Sequence, residues 1–411
     1  MTPMSPCRCC GSFNLLEVLS LGVSPLANSY LTPEELQNPE PFYPLDLKLC
    51  ADCYMAQLEV CVSPNEIFTE YAYFSSWSTS WLEHARQFAE KTIAQFALNQ
   101  NTRVIEIASN DGYLLQYFKE RGIPVLGIEP ATNVAAAAIE KGIPTVTAFW
   151  NLELADTLVQ QDKKADFIVA NNVLAHVPDL HGFVEALSRV MKPEGIATLE
   201  FPHLYQMINQ CQFDTIYHEH YSYFSLFVVC RVFAAHGLKV FDVEELSTHG
   251  GSLRIYVALD RNSRYEISPR VNRVLQKERD AGMMTSAYYR DFAKKASKVK
   301  RDLLTFLIDA KEKGKRCVGY GAAAKGNTLL NYCGIRTDFI EYVVDRSIAK
   351  QGKFTPGTRI PIFSPERIAE GKPDYVLILP WNLREEIEEQ MGHIRKWGGR
   401  FLTAIPKLTV F

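Results

Sequence analysis

An α/β fold of doubly wound, mostly parallel sheets behind a small cysteine-bearing module is predicted by three features of this 411-residue chain. Apolar runs of strand length alternate with helical stretches, the strand runs end in small or polar turn residues, and two C-x-x-C pairs precede the alternation. The expected division is a cysteine module at 1–66, a ligand-binding α/β unit at 67–258, and a linker helix with a second α/β unit at 259–411.

The first element is the cysteine module. Cys7 and Cys10 form one knuckle and Cys50 and Cys53 another, so four thiolates can meet around a tetrahedral zinc. The thioredoxin-like alternative wants a single C-x-x-C opening a helix after a strand, and the surroundings here are Pro-rich and irregular. With four protein ligands the metal has no open position, and its role is structural. Cys9 beside Cys10 leaves the register of the first knuckle ambiguous. Cys211, Cys230, Cys317 and Cys333 sit in apolar contexts and read as buried hydrophobes.

An aromatic stretch, Phe68 to Phe74, and a helix from about Thr79 to Leu98 lead into the most informative segment. Val104, Ile105 and Ile107 read as a buried parallel strand, Ala108-Ser109-Asn110-Asp111-Gly112 as a tight loop, and a helix follows from near Tyr113. The next strand, Val125 to Ile128, ends at Glu129 and Pro130, where a doubly wound fold places the carboxylate that accepts ribose hydroxyls. The loop lacks the G-x-G-x-x-G that cradles a pyrophosphate, which disfavours NAD and FAD. A nucleoside without phosphates remains, and S-adenosylmethionine (SAM) is the expected ligand, held by Glu106, Ala108, Ser109, Asn110, Gly112, Glu129, Pro130 and Asn171. Strands from Asp166 and Gly195 follow, and their carboxyl ends put Asn171, His176 and the Pro202-His203 turn on the functional edge.

Beyond residue 258, Asn272 to Lys313 reads as one long helical stretch closed by Gly314. A second Rossmann-type unit then begins: a strand at Arg316–Tyr320, a small-residue turn carrying Lys325, a helix from Asn327, and strands at Phe339–Val344 and Asp374–Leu379. Lys325 at a helix start suits a phosphate. Tyr320, Lys325, Asn327, Asp345, Trp381 and Asn382 are the expected substrate contacts.

Composition narrows the class further. Hydrophobic residues are 47% of the chain, charged residues 22%, and the net charge is −3. No apolar run approaches the roughly 20 residues that span a bilayer, and no secretory leader pattern opens the sequence. A cytoplasmic protein is expected, without membrane or nucleic-acid partners and as a monomer or small homo-oligomer. The basic cluster from Lys294 to Arg301 has the spacing of a solvated helix face.

Phe213-Asp-Thr-Ile-Tyr-His-Glu-His-Tyr-Ser-Tyr-Phe224 concentrates titratable groups. H-E-H is not the H-E-x-x-H metal spacing, and acid/base chemistry suits it better: a histidine near neutral pKa as base, a carboxylate to fix its tautomer, tyrosines for a developing oxyanion.

With EIASNDGYLL, FDTIYHEHYSYFS, STHGGSLR, YGAAAKGNTLLN, VVDRSIAKQG and LPWN in place, the whole chain resembles the sugar C-methyltransferases of deoxysugar biosynthesis. The resemblance implies a central Rossmann-like class I methyltransferase unit and C-methylation beside the ketone of a nucleotide-linked (dTDP) 4-keto-6-deoxysugar. It makes His220 the general base, with Glu219, Tyr217, Tyr71 and His176 around the reacting centre and the nucleotide near Lys325 and Asn327. The family often has glycine where Ala108 stands. Two other functions share much of this pattern: an O- or N-methyltransferase of a small metabolite, and a non-catalytic SAM or nucleotide-sugar binder.

Overall fold

Runs of aliphatic and β-branched residues become strands here, and the central parallel ones are held by burial on both faces. The structure is a computed structural model and describes residues 5–68, 74–77 and 79–411. Its strands are β1 (Leu15–Ser24), β2 (Tyr43–Cys50), β3 (Ala56–Gln57), β4 (Val104–Ile107), β5 (Val125–Ile128), β6 (Thr145–Val146), β7 (Ala165–Asn171), β8 (Met191–Pro202), β9 (Ser222–Tyr223), β10 (Leu238–Leu246) and β11 (Ser252–Leu259), followed by β12 (Cys317–Tyr320), β13 (Val343–Val344), β14 (Ile362–Phe363), β15 (Tyr375–Ile378), β16 (Arg400–Thr403) and β17 (Thr409–Val410).

Among the described residues these form three sheets, and each contributes to one central cavity. The first runs β1-β2-β3-β9, antiparallel throughout. The second runs β10-β11-β8-β7-β4-β5-β6, parallel from β8 to β6, and the third runs β14-β13-β12-β15-β16-β17, parallel up to β16. In both, strand order reverses beside the first strand, between β4 and β7 and between β12 and β15. Such a reversal opens a crevice at the carboxyl ends of the strands, where ligands bind. All of β4 and β12 is buried, as parallel strands covered by helices on both faces require.

Two expectations change. The stretch Asn272 to Lys313 is not one helix: Pro269–Asp280 ends at Ala281, a short turn of helix spans Ser286–Tyr289, and Phe292–Glu312 starts anew. Gly282 takes φ +82°, a left-handed cap that stops the first helix while the apolar spacing continues into the next. The expected strand at Phe339–Val344 shrinks to β13, because Phe339 and Ile340 turn back onto Arg336 through backbone hydrogen bonds.

The Pro202-His203 turn also divides its duties. Pro202 faces the cavity, whereas His203 is buried and its Nε2 meets Glu278 Oε1 at 2.7 Å. Glu278, on the helix Pro269–Asp280, also accepts from the amides of Leu226 (2.6 Å) and Phe227 (3.0 Å) at the start of the helix Leu226–Ala234. One buried carboxylate thus ties β8 to two helices. Glu278→Ala would leave three donors without their acceptor, and it should cost about 3–5 kcal/mol of stability. A urea midpoint within experimental scatter of the parent would remove this carboxylate from the framework.

Candidate active site and metal centre

The metal centre is set by two equivalent turns. The Cys7 carbonyl accepts from Gly11 N and the Cys50 carbonyl from Tyr54 N, and Gly11 (φ +74°) and Tyr54 (φ +61°) both take the left-handed conformation that closes the turn. The Sγ atoms of Cys7, Cys10, Cys50 and Cys53 lie within 4.8 Å of one another. The Cys7–Cys53 and Cys10–Cys50 separations are 3.4 and 3.6 Å, close to the ~3.8 Å edge of a tetrahedron with metal–sulfur bonds near 2.3 Å. The four sulfurs fit zinc. Cys10, not Cys9, completes the first knuckle; the Cys9 carbonyl instead lies 3.0 Å from His181 Nε2 on the neighbouring unit.

The loop expected to hold the nucleoside follows β4. Ala108 (φ +53°), Asn110 (φ +49°) and Gly112 (φ +77°) alternate into the left-handed region, which lets the backbone pass close to a ligand. Ala108 therefore occupies a conformation that glycine adopts without strain. A Cβ on Gly112 would sit 2.9 Å from Ile143 Cγ1, so this glycine serves packing as well as conformation. Glu129 ends β5 at the cavity wall. Its oxygens accept from Asn110 N (2.9 Å) and Ala131 N (2.8 Å), which orients the carboxylate and leaves each oxygen a further lone pair. Burial raises its pKa, and the two amides pull it back.

A cavity of about 890 Å³ spans the carboxyl edges of the second and third sheets. Ala108, Asn110, Glu129, Pro130 and Asn171 line it, as expected of cofactor contacts, while Glu106, Ser109 and Gly112 lie behind the wall. Ser109 packs under β5, its Oγ 2.4 Å from where a Cβ on Gly127 would stand, and Glu106 is buried with its carboxyl held well above the ordinary range by desolvation. Trp150 and Trp81 also face the cavity, although neither belongs to the loop or the strand ends that the sequence motifs mark.

His176, Tyr217, Glu219 and His220 converge on the same space; Tyr71 lies outside the described residues. His220 Nδ1 lies 2.9 Å from the Thr215 carbonyl, which can only accept, so the proton resides on Nδ1 and Nε2 keeps its lone pair. The tautomer is thus fixed by Thr215, not by the neighbouring carboxylate. Tyr217 packs over the imidazole at 4.0 Å between ring centroids and His176 meets it edge-on at 4.7 Å. Burial and the adjacent His176 hold the His220 pKa well below its ordinary value, and burial lowers His176 to about 4. Glu219 moves the other way: burial pushes its carboxyl up to about 7 against the Asn28 hydrogen bond. At neutral pH the site holds unprotonated imidazoles beside a carboxyl poised between its two forms.

Of the expected substrate contacts, Lys325 and Asn382 line the cavity, and Lys325 Nζ donates to Asn382 Oδ1 (3.1 Å) and the His249 carbonyl (3.3 Å). Burial lowers Lys325 to about 8. Trp381 braces it from outside, 4.9 Å from Nζ, with Nε1 donating to Asp214 at 2.7 Å. Asn327 does not reach the cavity: its Nδ2 donates to the Ala27 carbonyl at 2.7 Å, clasping a loop of the first module. Asp345 is spent on the amides of Ala322 and Ser347, and Tyr320 faces a separate outer cleft. Lys350, from the loop after β13, and Asn28, from the first module, take places at the cavity that sequence order did not suggest.

The chain matches three family models in succession: a zinc binding domain at residues 7–68, a methyltransferase domain at 81–243, and a C-methyltransferase C-terminal domain at 247–406. C-methyltransferase NovU of Streptomyces niveus is 35% identical over 405 residues, 98% of this chain and 96% of that one. The chain belongs to the C-methyltransferase family. A ubiquinone biosynthesis O-methyltransferase of Rhodopseudomonas palustris (strain HaA2) is 26% identical over 157 residues, 33% of this chain and 62% of its own. PH0226 of Pyrococcus horikoshii aligns at a TM-score of 0.37 and 13% identity, covering 47% of this chain and 97% of its own. This C-methyltransferase uses SAM as methyl donor and carries a zinc module. Among the described residues, no helix is long and apolar enough to cross a membrane.

Two outcomes check the ligand sites. Elemental analysis should find about one zinc per chain, and replacing both Cys50 and Cys53 by serine should abolish it. Glu129→Ala should weaken SAM binding by about 2–3 kcal/mol in titration calorimetry, the scale of lost charge-assisted hydrogen bonds.

Proposed function

We propose that this enzyme methylates a carbon next to the ketone of a nucleotide-linked 4-keto-6-deoxysugar, with His220 as general base. The observation that carries the reading is the Nδ1 contact with the Thr215 carbonyl, which leaves Nε2 unprotonated in a cavity that also holds Glu129. Carbon is a poor nucleophile until a neighbouring ketone can delocalise its electron pair. His220 Nε2 takes the proton from the carbon, and the charge moves onto the ketone oxygen as an enolate. Its depressed pKa keeps it unprotonated well below pH 6.5. Tyr217 and a protonated Glu219 border the same space and suit stabilisation of the enolate oxygen. SAM supplies an electrophilic methyl, and Glu129 with the loop after β4 orients its nucleoside. Lys325, with Asn382 fixing its ammonium, and Lys350 put positive charge on the third-sheet side of the cavity, which suits the diphosphate of a nucleotide sugar.

His220→Asn should lower kcat by about 10²–10⁴-fold with both ligands still bound, the range for loss of a general base. The parent should exchange the sugar's α-hydrogen with deuterated solvent, and the variant should not. A base with a depressed pKa stays competent as pH falls through 6.5, so the acid limb of kcat/KM should lie below that value. Near-normal turnover or exchange in His220→Asn would move the base elsewhere.

A further inference from the structure

Glu219 lies in the catalytic segment, but the residue that holds it does not. Asn28 sits in the loop after β1, on the zinc-bearing module, and its Nδ2 donates to Glu219 Oε1 at 2.6 Å. Both side chains line the cavity, and Glu219 is 2% exposed. The loop has anchors besides the Asn28 side chain, whose Oδ1 accepts only a long 3.4 Å contact from Tyr30 OH: Asn327 Nδ2 donates to the Ala27 carbonyl at 2.7 Å and Tyr30 OH to the Ala322 carbonyl at 2.5 Å. Lys350 lies 5.1 Å over the Tyr30 ring and closes the other side. At its opposite end, the β1–β2 hairpin pairs Leu15 with Cys50, one of the metal-binding cysteines. A single hairpin therefore runs from the metal to the cavity.

We propose that Asn28 is a positioning residue for methyl transfer, holding one oxygen of Glu219 so that the other addresses the substrate. Because Oε1 accepts from an amide N–H, a proton on this carboxyl belongs on Oε2, where it can be donated to the substrate's oxygen. An amide is the suitable partner for a carboxyl that changes protonation, since it carries no charge of its own. The zinc module thus completes the reaction site and does more than stabilise the chain. The inference rests on the reading that Glu219 addresses the substrate.

Kinetics of Asn28→Asp and Asn28→Ala test it, with zinc content and SAM affinity measured alongside. Aspartate keeps the side-chain shape and lacks the N–H donor. Both variants should lose about tenfold to a hundredfold in kcat, the range for leaving a buried hydrogen-bonding group without its partner, with zinc and SAM binding within twofold of the parent. A role in filling space predicts that Asn28→Asp works near the parent rate, and that result overturns the proposal. Unchanged kcat in both variants, or a loss that tracks departure of zinc or SAM, overturns it as well. The outcome separates from the base assignment: an inactive His220→Asn with fully active Asn28 variants removes only Asn28, whereas an active His220→Asn removes the reading beneath it.

Discussion

A two-residue strand pairing fixes the segment that carries Glu219 and His220. β3 of the zinc module pairs with β9, Ala56 opposite Tyr223 and Gln57 opposite Ser222, immediately after His220 in the chain. Arg8, between two metal-binding cysteines, donates to the Tyr221 carbonyl at 2.8 Å and to the Leu58 carbonyl at 2.5 Å, stitching the same junction. Without the module, residues 221–223 would present an unpaired backbone in the molecule's interior, and buried peptide groups without partners cost far more than an ordinary hydrogen bond contributes. The zinc module, far from His220 in the sequence, thus supplies the strand edge beside which His220 is held.

Burial then does different things to different groups. Desolvation raises Glu219 and lowers His220, so the neutral forms of both gain around neutrality. Glu200, equally enclosed at the end of β8, escapes this fate. Burial opposes its charge, yet His84, Arg254 and Thr248 hold the carboxyl at about 2. Arg254 Nη2 stands 2.6 Å from Oε2, and Thr248 begins the short turn that carries His249 to the cavity. A committed ion pair thus supports the wall while groups without a charged partner face the cavity.

Local signals were legible in the sequence and distant ones were not. The cysteine knuckles and the strand, loop and acid around Glu129 are short-range patterns, and each stands where its spacing predicts. Glu219 and His220 stand out through the density of titratable groups around them, and His176 through its place after a strand end. Asn28 carried no signal and Lys350 only its place in the VVDRSIAKQG segment, because a lone polar residue in a loop looks the same whether it faces solvent or a cavity. Asn327 misled for the same reason in reverse: its helix start resembles a phosphate cradle, while the fold uses its amide to hold Ala27. His203 shared a turn with a cavity residue and points into the core. The left-handed Gly282 broke a helix whose apolar spacing ran on undisturbed.

The cavity wall draws on all three sheets, with Asn28 and His220 beside the first, Glu129 after the second's β5, and Lys325 from the third. Evolution or engineering that grafts one section onto a foreign relative must therefore rematch seams as well as pockets. The seams are specific: Asn327 to Ala27, Tyr30 to Ala322, Arg8 to Tyr221. New substrate preferences are more accessible through single side chains at the wall than through exchange of whole sections, and relatives with different preferences are expected to have diverged as intact chains.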